Sequence, residues 1–158
     1  MDTNFIKMHI EPVMRDLLAA ALHVPTLRER VMPLRWNGEG QGKFAFDAVS
    51  EDGTVVACLS TARNLKAGQR HKLMRDATFM WLVPGVKQRV LAVVEPGVAQ
   101  SLEGELERGL LPPGTRIEII NLPTEMRDAL ETFRLSAANE VGGVRKRGSP
   151  MPGSGGGT

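Results

Sequence analysis

The feature that most constrains the fold is a pair of apolar segments joined by Asp52-Gly53. Residues 43–49 read KFAFDAV and residues 54–60 read TVVACLS, and both alternate with the period of a β-strand. An Asp-Gly dipeptide between two such segments is a strong signal for a hairpin with a tight turn. The sequence therefore predicts an antiparallel hairpin at this point of the chain.

The length of the turn decides which residue lies opposite Asp47. A two-residue turn at Asp-Gly places Asp47 opposite Cys58, whereas a three-residue loop with a glycine bulge places it opposite Ala57. We favour the two-residue turn because it keeps both phenylalanines of the first strand on the same face as Leu59. That register places Phe44, Phe46, Val55, Ala57 and Leu59 on the core face, and Ala45, Asp47, Val56, Cys58 and Ser60 on the other.

The rest of the chain alternates between helical and strand patterns. Pro33 marks the first strand as an edge strand, because proline cannot donate to a sheet ladder. In chain order we predict an extended segment over 1–9, a helix over 10–21, a weak strand over 28–36, the hairpin, a helix over 73–81, a strand over 88–94, a helix over 95–109, a strand over 115–122 and a helix over 123–143. This α-β-β-β-α-β-α-β-α order predicts an α/β fold with a mixed central sheet and helices on both faces.

Length and composition fit one soluble domain. A chain of 158 residues forms a single core, and we assign residues 1–143 to the domain and residues 144–158 to a flexible basic tail rich in Gly and Pro. No apolar segment approaches the ~18 residues that cross a bilayer, and the N-terminus lacks a signal-peptide core, so we expect a cytoplasmic protein. One cysteine and three scattered histidines argue against a disulfide and a structural zinc site.

Two acidic residues add a functional pattern to this order of elements. Glu11 lies near the start of the first helix and Asp47 lies on the hairpin, and with the α-β-β-β-α-β order over about residues 6–122 they resemble the PD-(D/E)XK, or restriction endonuclease-like, nuclease superfamily. In that family two carboxylates hold Mg²⁺, which activates water, and a lysine helps to position or deprotonate the nucleophile. The resemblance implies that Asp47 corresponds to the family's aspartate and Glu11 to its helix glutamate.

The second hairpin strand departs from the family pattern. Where the family has an acidic residue, a spacer and a lysine, this chain has Cys58-Leu59-Ser60. A thiol and a hydroxyl replace a hard oxygen ligand and a cation, and we expect Cys58 to be a small buried hydrophobe. The resemblance therefore implies a degenerate nuclease-like domain, which binds nucleic acid or a nucleic-acid-processing partner and does not cleave. Mg²⁺ is a cofactor only in the nuclease alternative.

A Mg²⁺-dependent nuclease with migrated active-site residues is the alternative interpretation. In it Glu11, Asp47 and Asp76 share the metal, and Lys66 or Lys72 replaces the missing lysine. Lys72 and Asp76 share a helix face at i, i+4, so a surface ion pair between them competes with that role. We favour the non-enzymatic interpretation.

A basic segment follows the hairpin. Its cations lie beside the expected cleft and are Arg63, Lys66, Arg70, Lys72 and Arg75. Such a cluster attracts the phosphate backbone of DNA or RNA, although an ordinary solvated helix start has the same composition. Most aromatic residues are needed for the core, so we expect no recognition of base sequence.

A protein interaction is the third class of function. In that case Met74, Phe79 or Leu135 would be exposed and would form an apolar patch for a homodimer or another partner. The alternative is that these residues belong to the core.

Overall fold

The computed structural model describes residues 4–36 and 39–148, with side chains described for 4–36 and 42–138. The chain divides into two compact units, one formed by the chain up to Ile10 together with the chain from Leu122, the other by Glu11–Asn121. In chain order the elements are a π-helix Ile6–Ile10, α1 Glu11–Leu22, β1 Leu27–Trp36, β2 Glu39–Ser50, β3 Val55–Ser60, α2 Ala67–Trp81, β4 Gln88–Val93, α3 Pro96–Glu107, β5 Thr115–Ile119 and α4 Thr124–Gly148.

The five strands form one mixed sheet in the order β1-β2-β3-β4-β5. The first three strands are antiparallel neighbours, and β3, β4 and β5 run parallel to one another. The parallel strands are joined through α2 and α3, as parallel pairing requires a crossover connection. The predicted mixed α/β class is confirmed, and Pro33 lies in an edge strand as expected.

One face of the sheet packs against α2 and α3. Phe46, Cys58 and Leu91 come from three neighbouring strands, and they share one buried core with Leu73 of α2 and Leu102 of α3. Nearly every residue of β3 and β4 is buried, so these central strands are covered on both faces.

Two of the three residues proposed for an apolar patch belong to this core. Met74 and Phe79 pack against it and are partly buried, which agrees with the core alternative for these two residues. Leu135 of α4 is exposed, as that interpretation required.

The connection between β2 and β3 is a four-residue loop, so the predicted two-residue turn is wrong. The last ladder pairs are Ala48 with Ala57 and Val49 with Val56. The N–H of Gly53 donates to the carbonyl oxygen of Ser50 at 3.0 Å, which closes a turn before the strand resumes. Continued by one pair, this register places residue 47 opposite residue 58, the alignment that the sequence favoured.

The side chain of Asp52 holds the loop together. Its Oδ1 atom accepts hydrogen bonds from Oγ1 of Thr54 at 2.8 Å, from the N–H of Thr54 at 3.1 Å and from Oγ of Ser50 at 2.8 Å. These bonds, led by the Thr54 hydroxyl, lower the pKa of Asp52 to about 2. Oγ of Ser50 also accepts the N–H of Val55 at 2.9 Å, so side chains close the hairpin at its end.

A β-bulge in β2 overturns the predicted assignment of faces. Arg28 pairs with Val49 but Arg30 pairs with Phe46. Between these two pairs β2 has two residues and β1 has one. The extra residue at Asp47-Ala48 inverts the alternation of side chains along β2.

As a result the core cluster differs from the predicted one. Phe46 lies with Val56 and Cys58, whereas the sequence placed the phenylalanines with Val55, Ala57 and Leu59.

Both ends of the chain are more helical than predicted. The segment expected to be extended is helical from residue 4, and Ile6–Ile10 is wound as a π-helix ahead of Pro12, which has no N–H to donate. Helix α4 continues to Gly148, past the predicted start of the tail at Val144. The rest of the predicted tail lies outside the described residues. Within the described ranges, none of the helices is long and apolar enough to span a membrane.

We expect Gly53→Ala to lower the free energy of unfolding by about 1–2 kcal/mol, because the backbone of Gly53 has a left-handed conformation that disfavours a side chain. Its φ is 75°, and an added Cβ would make only an ordinary 3.5 Å contact with Cε of Met32, so the cost is conformational. Urea denaturation measures the change.

The matched control is Gly104→Ala in α3, where an added Cβ meets no atom within 4 Å. We expect it to raise the free energy of unfolding by about 0.5–1 kcal/mol, because alanine favours a helix more than glycine does. Equal stability of Gly53→Ala and the wild type would contradict the left-handed turn.

Candidate functional site

The hairpin opens at Asp47, and its carboxylate replaces a backbone partner there. β2 and β3 share only two ladder pairs, although β2 extends back to Glu39 and β3 forward to Ser60. Beyond the last pair, Oδ2 of Asp47 accepts the N–H of Leu59 at 2.8 Å. A buried N–H must find an acceptor, so this carboxylate completes the strand as well as lining the opening.

The surroundings of Asp47 are partly apolar and carry mixed charge. Burial raises the pKa of the Asp47 carboxyl above its ordinary value of 3.8, against the Leu59 N–H and the Lys72 charge, which lower it. The negative charges of Asp76 and Glu29 act in the same direction as burial. The structure therefore brings Asp47, Lys72 and Asp76 within electrostatic reach of one another, and Glu29 of β1 is a neighbour that the sequence did not identify.

Cys58 and Ser60, which replace the family's acidic residue and lysine, both have structural roles. Cys58 is buried in the core, and burial raises the pKa of its thiol well above 9.0, helped by the charges of Asp76 and Asp47. The thiol is therefore protonated at neutral pH, and the prediction of a small buried hydrophobe is confirmed. Oγ of Ser60 accepts the N–H of Ala62 at 3.2 Å and so stabilises the end of β3.

Asp76 pairs with its chain neighbour and is buried. Arg75 donates to Oδ1 of Asp76 from Nε at 3.2 Å and from a terminal nitrogen at 2.9 Å. The same guanidinium lies 5.4 Å from the centroid of the Phe44 ring, which orients it. The expected surface ion pair between Lys72 and Asp76 is therefore wrong, because Asp76 turns into the protein and takes Arg75 as its partner.

Glu11 is engaged by Arg15, a residue that the sequence analysis missed. A terminal nitrogen of Arg15 lies 3.8 Å from Oε1 of Glu11 and donates to the backbone carbonyl oxygen of Asp47 at 3.1 Å. A guanidinium thus links the start of α1 to the strand that carries Asp47. The i, i+4 spacing of Glu11 and Arg15 was the available signal, but only the fold shows the contact with Asp47.

Each of the three acidic residues proposed as metal ligands meets a group of the protein. Asp47 accepts the N–H of Leu59, Asp76 accepts from Arg75, and Glu11 lies 3.8 Å from Arg15 as an ion pair. Among the residues that the structure describes, no group of three or more His, Cys, Asp or Glu side chains could hold a metal ion. The sharing of Mg²⁺ by Glu11, Asp47 and Asp76 stays a prediction of the nuclease alternative.

Four of the five predicted basic residues are exposed: Arg63, Lys66, Lys72 and Arg75. Arg70 differs from them, because it lies 2.8 Å from Oε1 of Glu105, a buried carboxylate of α3. The other carboxylate oxygen of Glu105 accepts from Arg108 at 2.8 Å. Arg70 therefore ties α2 to α3, and part of its charge is neutralised inside the protein.

No protein family, curated protein or solved structure matches the chain.

We expect Asp47→Asn to raise the free energy of unfolding at pH 7. Burial raises the pKa of Asp47, so the folded protein holds that proton more tightly than the unfolded chain does, and the ionised form is destabilising. The gain should disappear as the pH falls through the folded pKa towards 3.8, where the wild-type carboxyl is also neutral. Urea denaturation of both proteins from pH 3 to pH 8 tests this.

Asp47→Ala is the control that separates charge from hydrogen bonding. The asparagine oxygen can still accept the N–H of Leu59, whereas alanine leaves that N–H unpaired at a cost of about 1–3 kcal/mol. We therefore expect the alanine variant to be less stable than the asparagine variant by this amount. An asparagine variant that is less stable than the wild type at pH 7 would contradict the proposed cost of the buried charge.

We expect Arg70→Gln to lower the free energy of unfolding by about 1–3 kcal/mol, because it leaves Glu105 with one charged partner. Lys66→Gln is the control, since Lys66 is exposed and a surface charge contributes less than about 1 kcal/mol. Chemical denaturation of the two variants under one condition makes the comparison. Equal losses would show that the buried carboxylate does not depend on Arg70.

Proposed function

We propose that this chain is a nuclease-like domain of the PD-(D/E)XK type that binds the backbone of nucleic acid without cleaving it. The observation that carries the proposal is that Asp47 and Asp76 accept hydrogen bonds from the protein itself and that Glu11 forms an ion pair with Arg15. The order of α1, three antiparallel strands, α2 and a parallel fourth strand supports the resemblance on which the fold assignment rests.

The chemistry of phosphodiester hydrolysis explains why this arrangement favours binding. A metal-dependent nuclease needs oxygen ligands that hold Mg²⁺ and a cation that stabilises the developing charge. At the two positions where the family has those groups, this chain has the protonated thiol of Cys58 and the hydroxyl of Ser60. Neither group supplies a hard anionic ligand or a positive charge at neutral pH.

The exposed cations at the start of α2 are the proposed contact with phosphate. Lys66 and Lys72 are exposed, and neither forms an ion pair with another residue in the part of the chain whose side chains are described. Arg63 and Arg75 lie on the same connection and helix. Electrostatic contacts of this kind supply affinity for a backbone without recognising its sequence.

A metal-dependent nuclease is the second candidate, because Lys72 and Asp76 both act on the charge of Asp47. In that case Arg75 would leave Asp76 when a metal and a substrate bind, and Lys72 would supply the cation. The two candidates predict opposite results in one assay.

We expect no cleavage of labelled single- or double-stranded DNA or RNA by the purified protein in Mg²⁺ or Mn²⁺, because the ligand set for a metal is incomplete. Gel analysis of a time course, with Asp47→Ala run in parallel, makes the measurement. Cleavage that is present in the wild type and absent from Asp47→Ala would establish the nuclease instead.

We expect binding of nucleic acid that weakens steeply with salt, and a smaller salt dependence for Lys72→Gln. Each lost phosphate contact lowers the slope of log K against log salt by roughly 0.9 for a duplex or 0.7 for a single strand. Fluorescence anisotropy with an end-labelled oligonucleotide measures the slope. Arg127→Gln on α4 serves as the control, since it removes an exposed charge outside the basic segment.

Binding that is equally weakened by Arg127→Gln and Lys72→Gln would reflect overall charge and would contradict a site at the start of α2. Absence of any binding at low salt would remove nucleic acid as the ligand and leave a protein partner as the ligand of this scaffold.

A further inference from the structure

Both tryptophans of the chain are exposed, and each adjoins a residue of the same backbone hydrogen bond. The side chains of Trp36 and Trp81 are 52% and 48% exposed. The backbone N–H of Arg35 donates to the carbonyl oxygen of Leu82 at 3.0 Å. Trp36 directly follows Arg35 in the chain, and Trp81 directly precedes Leu82. The bond thus brings the backbone next to Trp36 together with the backbone next to Trp81, at the end of α2.

Arg89 orients one of these rings. Its guanidinium lies 5.4 Å from the centroid of the Trp81 ring, and its Nε atom donates to the carbonyl oxygen of Met80 at 2.9 Å. The bond to the last turn of α2 fixes the guanidinium, and the guanidinium in turn supports the indole. Trp81 is therefore an exposed ring backed by a positive charge.

The segments that meet here are basic. Residues 30–36 and 77–94 contain Arg30, Arg35, Lys87 and Arg89 and have no Asp or Glu. Acidic residues adjoin these segments at Glu39, opposite Trp36 in the ladder, and at Glu51, whose backbone carbonyl oxygen accepts from Arg30 at 3.1 Å. An aromatic surface among cations is complementary to a ligand that combines flat apolar rings with negative charge.

We propose that Trp36 and Trp81 form a stacking platform for the unpaired bases of a single strand of nucleic acid. The proposal rests on the function proposed above and deepens it, because it names single strands as the substrate class. Bases in a single strand offer their faces to aromatic side chains, whereas those faces are already stacked in a duplex.

The platform and the basic segment belong to one continuous element. Lys72 and Arg75 lie on α2, which ends at Trp81, and nine residues of helix span about 14 Å. Arg75 and Phe79 both contact the ring of Phe44 of β2, so cations precede aromatic rings along this stretch of α2. Because nine residues make about two and a half turns, a strand that contacts both Lys72 and Trp81 would pass around the helix.

The test uses intrinsic fluorescence, because the chain has two tryptophans and both lie in the platform. The full-length protein is titrated with a 15-nucleotide single-stranded DNA, the same sequence as RNA, its duplex, and an abasic DNA strand of equal length. We expect quenching by the two single strands that carry bases, and little quenching by the duplex or the abasic strand. A difference in quenching between the DNA strand and the RNA strand would show which of the two single strands binds more tightly.

Substitutions then measure what each ring contributes. We expect Trp36→Ala and Trp81→Ala each to weaken single-strand binding by roughly 5- to 150-fold, the equivalent of about 1–3 kcal/mol per stacked base, and to leave duplex binding unchanged. Trp36→Phe and Trp81→Phe should retain most of the affinity. Leu110→Ala is the control, because it removes a side chain of similar exposure, 50%, outside the platform. Circular dichroism verifies that each variant is folded.

The outcomes separate this inference from the proposed function. Single-strand binding that depends on Lys72 but is unchanged in Trp36→Ala and Trp81→Ala would overturn the platform and leave backbone binding intact. Failure of all four probes to bind would overturn both proposals. Self-association of the protein alone, detected by sedimentation and lost in Trp36→Ala, would assign the two rings to a dimer interface and overturn the platform.

Discussion

The hydrogen bond from the N–H of Leu59 to the carboxylate of Asp47 is the interaction on which the site depends. It forms where β2 and β3 separate, at the β-bulge that redirects Asp47. Without the bulge, Asp47 would continue the regular alternation of β2, and Leu59 would take a backbone partner. Because the carboxylate takes that place, the two strands separate beside a buried core while the N–H of Leu59 keeps an acceptor.

Several carboxylates of the protein are paired with guanidinium groups of its own arginines. Asp76 is held by Arg75 and Glu11 by Arg15, while the buried Glu105 is held by Arg70 and Arg108. A carboxylate that already has a guanidinium partner must lose it before it binds a metal, and that exchange costs free energy. The exposed cations of the basic segment are the groups to which we assign the proposed phosphate contacts.

The order of the elements was predictable because it depends on local patterns. Alternating apolar residues, Pro33 and the helix-breaking residues report on their own segment, and the mixed α/β class followed from them. A two-residue turn was predicted, but the loop has four residues. The longer loop is held by hydrogen bonds from Ser50 and Thr54 to the side chain of Asp52, which the pattern of apolar residues does not reveal. The faces of β2 were predicted wrongly because a bulge adds a residue without leaving a mark in the alternation.

By itself the sequence determined the class of fold, the edge position of β1, the burial of Cys58 and the candidate acidic and basic residues, since periodicity and composition are properties of short segments. Only the tertiary structure decided which partners these residues have. Arg15 reaches the backbone of Asp47, Arg70 reaches Glu105, and Trp36 lies beside the end of α2 through contacts between distant segments. Such contacts depend on how helices and strands pack, and the residue pattern of a short segment cannot predict them.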